Sequence, residues 1–439
     1  MTALRDAIGI LHETKNRFER RVPLVPEQIA DLVRDGIEVR VQRSPTRAFR
    51  DEEFSAVGAT LVDDPTDCRV LVGVKEVKTT QVRPNQTVLC FSHTIKGQSH
   101  NMPLLEHFLR EHATLIDYEC IVDDAGVRQV AFGRYAGLAG AHETLWTLAH
   151  RLHALGRKTA LVGLRHAVDY RDLADMTSST ARLLDQVRVE QRAAGLGPLV
   201  VAVTGEGRVS KGALEYFDLV GARRATVAEC RSIALGEGPQ DVPLVVLPIA
   251  DSAIYERAGG SIFEFSDYVA HPEQYVCKGS MYLPLAHALV NGLYWDQRFP
   301  RLLDDSTLWR MYRNKTLPTV LGDVACDIRG GIEWTVLATQ NDDPAFVYDP
   351  TEERASVGVG GDGVAIMSVD NLPTALPRDA SVDFSRALAP FMRAFFGASF
   401  ANGSVADLPL ALRTAVVVAC GHLTPRHADL ARFIGSAAS

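Results

Sequence analysis

The sequence predicts an α/β protein of two domains, each built on a parallel sheet with helices on both faces. Three observations predict it. At 439 residues the chain exceeds what one ordinary hydrophobic core holds. Its first third alternates short β-favouring runs with segments of helical periodicity, the signature of strand–helix–strand units. Near residue 199 a second such unit opens on a strand, a glycine turn and a helix.

Taken in order, strands are expected at Ile8–Leu11, Glu38–Gln42, Arg69–Val74, Thr87–Phe91, Thr114–Asp117 and Arg128–Phe132. Helices fall between them at Pro26–Asp35, Asp51–Val57 and Met102–Glu111. A helix rich in small residues follows from Tyr135 to Leu155, and 156–177 reads as an irregular connection. The second unit runs from Leu199 to the β-branched stretch Val364–Val369. Three helical segments, about 381–397, 406–421 and 424–435, are expected to end the chain. The glycine-rich SVGVGGDGV (356–364) reads as a turn.

Composition narrows the function. The net charge of −8 argues against nucleic acid or an anionic membrane as partner. No apolar run reaches 18 residues, and the amino terminus lacks a leader-like apolar core. The seven cysteines carry no paired spacing, which fits reduced thiols and a cytoplasmic protein. His142-Glu143 fails the zinc-helix spacing because Trp146 stands where the second histidine belongs, so no metal site is expected. Small-molecule substrates remain.

In LVVAVTGEGRVSKGALEYF (199–217), Gly205 permits a tight turn and Gly207 lets the backbone approach a pyrophosphate at a helix N-terminus. Arg208 and Val209 open the helix, and Ser210 takes the place of the third glycine of the dinucleotide fingerprint. The next strand, through Arg223 and Arg224, has no terminal acid to grip an NAD ribose. Its arginines suit a 2′-phosphate, so NADP is expected, with NAD as the alternative.

Polar residues follow three other strands, where open parallel sheets place their ligand clefts. They are Arg20 and Arg21 in HETKNRFERRVPLVP, Lys75 and Glu76 in VLVGVKEV, and Ser92, His93 and Lys96 in TVLCFSHTIKGQ. The stretch from Leu115 to Gly137 adds Asp117, Glu119 and Arg128. A lysine beside a histidine and a cationic cofactor has its pKa pulled down, towards acid/base duty near neutral pH.

These segments carry a resemblance. ERRVPLVP (19–26), VLVGVKE (70–76), FSHTIKGQ (91–98), LIDYE (115–119), VAFGRYAGLAG (130–140), TGEGRVSKGA (204–213), NGLYWDQRFPRLL (291–303), GGIEW (330–334) and DNLPTALP (370–377) occur in order along the chain. Together they resemble the lysine–2-oxoglutarate reductase half of aminoadipic semialdehyde synthases, and more distantly saccharopine dehydrogenase and the alanine dehydrogenase/transhydrogenase superfamily. The resemblance implies two Rossmann-like domains around a central cleft, with C-terminal helices returning to the first. Residues 1–135 with 378–439 would form the substrate and catalytic domain, and 136–377 the dinucleotide domain.

It also implies reversible, NAD(P)H-dependent condensation of lysine, or a related amino acid, with 2-oxoglutarate to saccharopine. Lys75 and His93 would be the acid/base pair, and Arg21 and Arg128 would hold carboxylates. Glu76 and Glu119 would tune the pair or bind the amine, with Lys96 among the substrate residues and Asp327 among the cofactor residues. Glu76 follows the fungal dehydrogenase pattern, and CDIRGGIEW (326–334) is shorter than the family stretch it matches. No second enzyme domain is expected within these residues, so later cleavage of the product would fall to another protein. The rival readings are an amino acid dehydrogenase of the alanine dehydrogenase type and a non-catalytic dinucleotide-binding regulator.

Overall fold

The computed structural model describes residues 4–435 apart from Ala125, Gln240 and Ser261. The chain forms two compact units, Met1–Phe132 with Pro377–Ser439, and Gly133–Leu376.

In the first unit, strands β1 (Arg5–Ile10), β2 (Val39–Gln42), β3 (Thr60–Val62), β4 (Cys68–Val72), β5 (Thr87–Cys90) and β6 (Thr114–Asp117) lie parallel in the order 3-2-1-4-5-6. Alternate residues feed opposite faces. Ile8, Ile10, Val70 and Val72 enter one apolar cluster, while Ala7 and Leu71 enter another. Burial on both faces explains why these strands read as nearly continuous apolar runs.

The second unit repeats the plan. It contains β7 (Leu199–Thr204), β8 (Arg223–Arg224), β9 (Leu244–Ile249), a hairpin β10 (Tyr255–Arg257) and β11 (Tyr275–Cys277), and then β12 (Ala288–Asn291), β13 (Val320–Asp323), β14 (Ala345–Asp349), β15 (Arg354–Val357) and β16 (Val364–Met367). The large sheet runs 15-14-16-13-12-7-9-8, and β14 alone runs against the others, pairing antiparallel with both β15 and β16. The turn after β15 is held by Arg151, whose guanidinium donates to the carbonyls of Val359 (2.9 Å), Gly361 (2.7 Å) and Gly363 (2.8 Å).

The chain then returns to the first unit. Helix Pro377–Gly397 sets Ser381 and Ser385 one turn apart, and their hydroxyls accept from the amides of Val22 (3.0 Å) and Val25 (2.9 Å). Between them, Phe384 stacks on Phe132 with centroids 4.4 Å apart.

Several expectations are corrected. Segment 406–421 is not a helix: after a short turn at Leu410–Arg413 it forms β17 (Val416–Ala419), antiparallel to β6, and then β18 (His422–Leu423). AVVVA is buried on both sides, so its periodicity resembles that of a buried helix. Arg128–Phe132 is not a strand. Only Arg128 pairs, in an isolated bridge with Val122, because β17 occupies the edge beside β6. The C-terminal stretch Pro425–Phe433 is 3-10 rather than α-helical. The connection read at 156–177 gives way at Leu173 to a helix reaching Ala194, capped by the Asp172 carboxylate. Among the described residues, no helix is long and apolar enough to cross a membrane.

Small residues set one contact inside the second unit. Helix Gly133–Ala154 crosses helix Arg208–Leu219 so closely that a Cβ on Gly137 would stand 1.9 Å from the Val209 carbonyl oxygen. One on Gly212 would stand 2.1 Å from that of Arg134. Backbone cannot yield as a side chain does. Gly137→Ala and Gly212→Ala are each expected to cost about 1–3 kcal/mol, lowering the melting temperature by several degrees. Unchanged thermal unfolding of both variants would contradict this packing.

Candidate active site

In the 3-2-1-4-5-6 order of the first unit, connections leave in opposite directions on either side of β1 and β4, which opens a crevice at the strands' carboxyl ends. The segments entering it are His12–Arg21 after β1 and Gly73–Lys78 after β4. The start of the first and the end of the second line a cavity of about 280 Å³, with Leu11, His12, Glu13, Lys15, Lys75 and Glu76 among its walls.

Glu13 reaches across from the first segment. Its carboxylate accepts from the amides of Val74 (2.6 Å) and Lys75 (3.1 Å). Burial, with help from Glu19, pushes its carboxyl up to about 7. Lys75 is half-buried at the strand end. Beside it, Glu76 pairs with Lys15 through one oxygen, and its other oxygen is buried with no hydrogen-bond partner.

The loop after β5 is shaped by Asp117, the buried last residue of β6. Its carboxylate accepts from the Ser92 amide (3.1 Å), the Ser92 hydroxyl and the Glu119 amide (2.8 Å). Burial pushes it up to about 6. The turn leaves His93 in the left-handed region, with φ 55°, an uncommon conformation for a residue with a side chain. Burial holds the His93 imidazole below its ordinary range. The Lys75 and Lys96 charges add to this, and Glu119 and Glu76 oppose it. Lys75, Glu76, Lys96 and Glu119 therefore all act electrostatically on His93.

Glu119 is nearly buried. One oxygen faces Arg128 Nη1 at 3.4 Å, and the other has no hydrogen-bond partner. Arg21, which the sequence offers as a carboxylate binder, is buried. It already holds a carboxylate, donating to Glu19 at 2.8 and 2.5 Å while stacking over Phe132 at 4.1 Å. Sequence analysis assigns no role to Glu13 or Glu19. Their signal was position alone, in the segment that follows an apolar strand at the sheet's crevice.

In the second unit, Gly205 turns with φ 95°, and Gly207 precedes a helix that has no side-chain cap. A Cβ on Gly207 would meet nothing within 4 Å, so the helix N-terminus with Arg208 and Val209 is open to a ligand. Ser210 is buried and turns inward, donating to the Thr204 carbonyl at 2.8 Å, so it shapes the loop from behind. An uncapped first turn leaves N–H groups without intrahelical partners, and this arrangement fits a dinucleotide pyrophosphate.

Strand order changes the reading of the arginines. Strand β8 is the sheet edge, and β9 lies between it and β7. Arg224 donates to Asp218 at 3.0 and 2.6 Å, and Arg223 stands 3.5 Å from Glu229. Beside Gly205 lie two acids instead. The Glu206 carboxylate accepts from the Asp251 amide at 3.2 Å, and burial followed by repulsion from Glu206 pushes Asp251 up to about 6.

The last residues of β7, β12 and β13 also form a buried chain. Thr204 donates to Asn291 (3.1 Å), and Asn291 and Thr335 donate to Asp323 (3.0 and 2.7 Å). Asp327 is exposed in the following loop and close enough to raise the Asp323 carboxyl, although burial dominates the shift to about 6.

Comparison with known proteins agrees with this layout. Residues 9–139 match the family described as alanine dehydrogenase/PNT, N-terminal domain. An alpha-aminoadipic semialdehyde synthase of Arabidopsis thaliana is 34% identical over 439 residues, covering 95% of this chain and 40% of that protein. The lysine-forming, NAD(+) saccharopine dehydrogenase of Neurospora crassa is 27% identical over 397 residues, covering 87% of this chain and 90% of that one. The chain is a relative of both groups. It spans less than half the length of the semialdehyde synthases, 43% for the mitochondrial one of Mus musculus at 31% identity over 88% of this chain. The fold is that of an L-alanine dehydrogenase, with a TM-score of 0.61 and 20% identity over 97% of this chain and 98% of that one. A Sinorhizobium meliloti transhydrogenase shares it at 0.57 and 16%, covering 95% and 100%.

Proposed function

We propose that this chain is a nicotinamide-dependent oxidoreductase acting on a CH–NH bond, reversibly joining lysine or a related amino acid to 2-oxoglutarate as saccharopine or a similar secondary amine. One observation carries the reading. Around His93, whose imidazole the Lys75 charge helps to hold down, Glu76 and Glu119 each keep a buried carboxylate oxygen without a hydrogen-bond partner. Such an oxygen costs free energy until it is paired, and an ammonium group of a diamino acid satisfies it.

The chemistry asks for two proton carriers. His93, held neutral by burial, accepts the proton lost as the amine attacks the oxo carbon. Lys75 gives a proton to the carbinolamine hydroxyl, which leaves as water and forms the imine. A nicotinamide dinucleotide would be held by its pyrophosphate at the uncapped helix beyond Gly207, and when bound it would supply the hydride chemistry. Arg128 has a half-exposed guanidinium for a substrate carboxylate, whereas Arg21 would share itself with Glu19. Seven cysteines without a disulfide support a reducing compartment, and the cytoplasm is the one we propose.

The test is an amine panel. Purified protein with reduced dinucleotide, 2-oxoglutarate and lysine should yield a product of saccharopine mass. Lys75→Met and His93→Gln should each lower kcat about 10²–10⁴-fold, with dinucleotide affinity unchanged. Consumption of ammonia in place of lysine would favour an amino acid dehydrogenase. Full activity in the double variant would remove both residues from the mechanism.

The choice of cofactor is the second test. NADPH requires Arg223 and Arg224 to exchange Asp218 and Glu229 for a 2′-phosphate, whereas Glu206 and Asp251 favour the ribose hydroxyls of NADH. If the arginines select NADPH, Arg223→Ser with Arg224→Ser should lower kcat/KM for NADPH about tenfold or more and leave NADH alone. Equal kinetics with both cofactors in the parent and in the variant would overturn the arginine role.

A further inference from the structure

We propose that Glu13 is the positioning residue of the Lys75 loop, its carboxylate taking the place of a strand by holding the main chain of Val74 and Lys75. The proposal rests on the functional reading above and extends it to a residue that acts through the main chain carrying Lys75.

The ladder shows what Glu13 replaces. Leu11 still donates to Val72 (3.0 Å) and Gly73 to Leu89 (3.0 Å), and the Val74 carbonyl still accepts from Phe91 (3.0 Å). The amides of Val74 and Lys75 turn instead to the Glu13 carboxylate, one to each oxygen. Val74 is fully buried, so its N–H has no water to turn to. The neighbouring residue is matched to this contact, since a Cβ on Gly73 would stand 3.3 Å from Glu13 Oε1. Two bonds from one rigid carboxylate fix where Lys75 leaves the sheet and so where its side chain starts. Placement of a proton donor governs its rate contribution, because proton transfer needs hydrogen-bond contact with the reacting atom.

Glu13→Gln keeps the size and turns one acceptor into an NH₂ opposed to an N–H. It is expected to lower kcat about 10–100-fold with dinucleotide KM within about twofold. Combined with Lys75→Met it should add no further loss, because a positioning residue acts only through the group it positions. Gly73→Ala presses on the same contact without touching the charge and should give the same signature more weakly. Hydrogen exchange at the Val74 and Lys75 amides is read in parallel and needs no turnover. It should quicken about tenfold or more in Glu13→Gln, with the rest of β4 unchanged. Parent-like kcat in Glu13→Gln, a loss that adds in full to Lys75→Met, or unchanged exchange at the two amides would each overturn the proposal. A parent protein that turns over no amine would sink the functional reading instead, and the exchange measurement would still decide this one.

Discussion

A parallel strand that ends inside a protein leaves N–H groups without ladder partners, and buried carboxylates take them up in the first unit. Glu13 receives those of Val74 and Lys75, and Asp117 receives those of Ser92 and Glu119. The two anchors place Lys75 and His93 at the ends of adjacent strands. Each is costly, as the upward shifts of Glu13 to about 7 and Asp117 to about 6 show. A carboxylate is kept in such surroundings only where its hydrogen bonds offset its desolvation.

The second unit solves a different problem. A phosphate-binding turn needs backbone close to the ligand and a helix held close behind it. Gly205 and Gly207 leave the front of the turn open. Behind, Gly292 leaves room for Ser210, whose Oγ lies 2.4 Å from where a Cβ on that glycine would be, and Gly137 and Gly212 bring two helices together. A glycine fingerprint is thus only the visible part of a larger small-residue contact.

How far the sequence carried depended on the range of the interactions. Strands β4 and β5 were legible within about two residues, because burial on both faces leaves a plain apolar run. The places of Lys75 and His93 just after adjacent strands were legible because each follows a plain apolar run. AVVVA was misread because its partner β6 lies some 300 residues away, and a β-branched run buried on both sides has no period of its own. Arg223 and Arg224 were placed beside the ribose on the assumption that consecutive strands are neighbours. The insertion of β9 between β8 and β7 is a tertiary fact. Glu13 was invisible because its partners lie 61 and 62 residues further on and are backbone groups, which leave no side-chain signature.

The central claim is that Lys75 and His93 share one electrostatic environment, in which the lysine charge helps burial to hold the imidazole neutral. Titration of the His93 ring by NMR, assigned through His93→Gln, tests it most directly. The account predicts a midpoint below the ordinary value of 6.5. It also predicts a rise in Lys75→Met, because removing a neighbouring positive charge makes the imidazolium easier to form. A midpoint at or above 6.5 that Lys75→Met leaves unmoved would contradict the shared site.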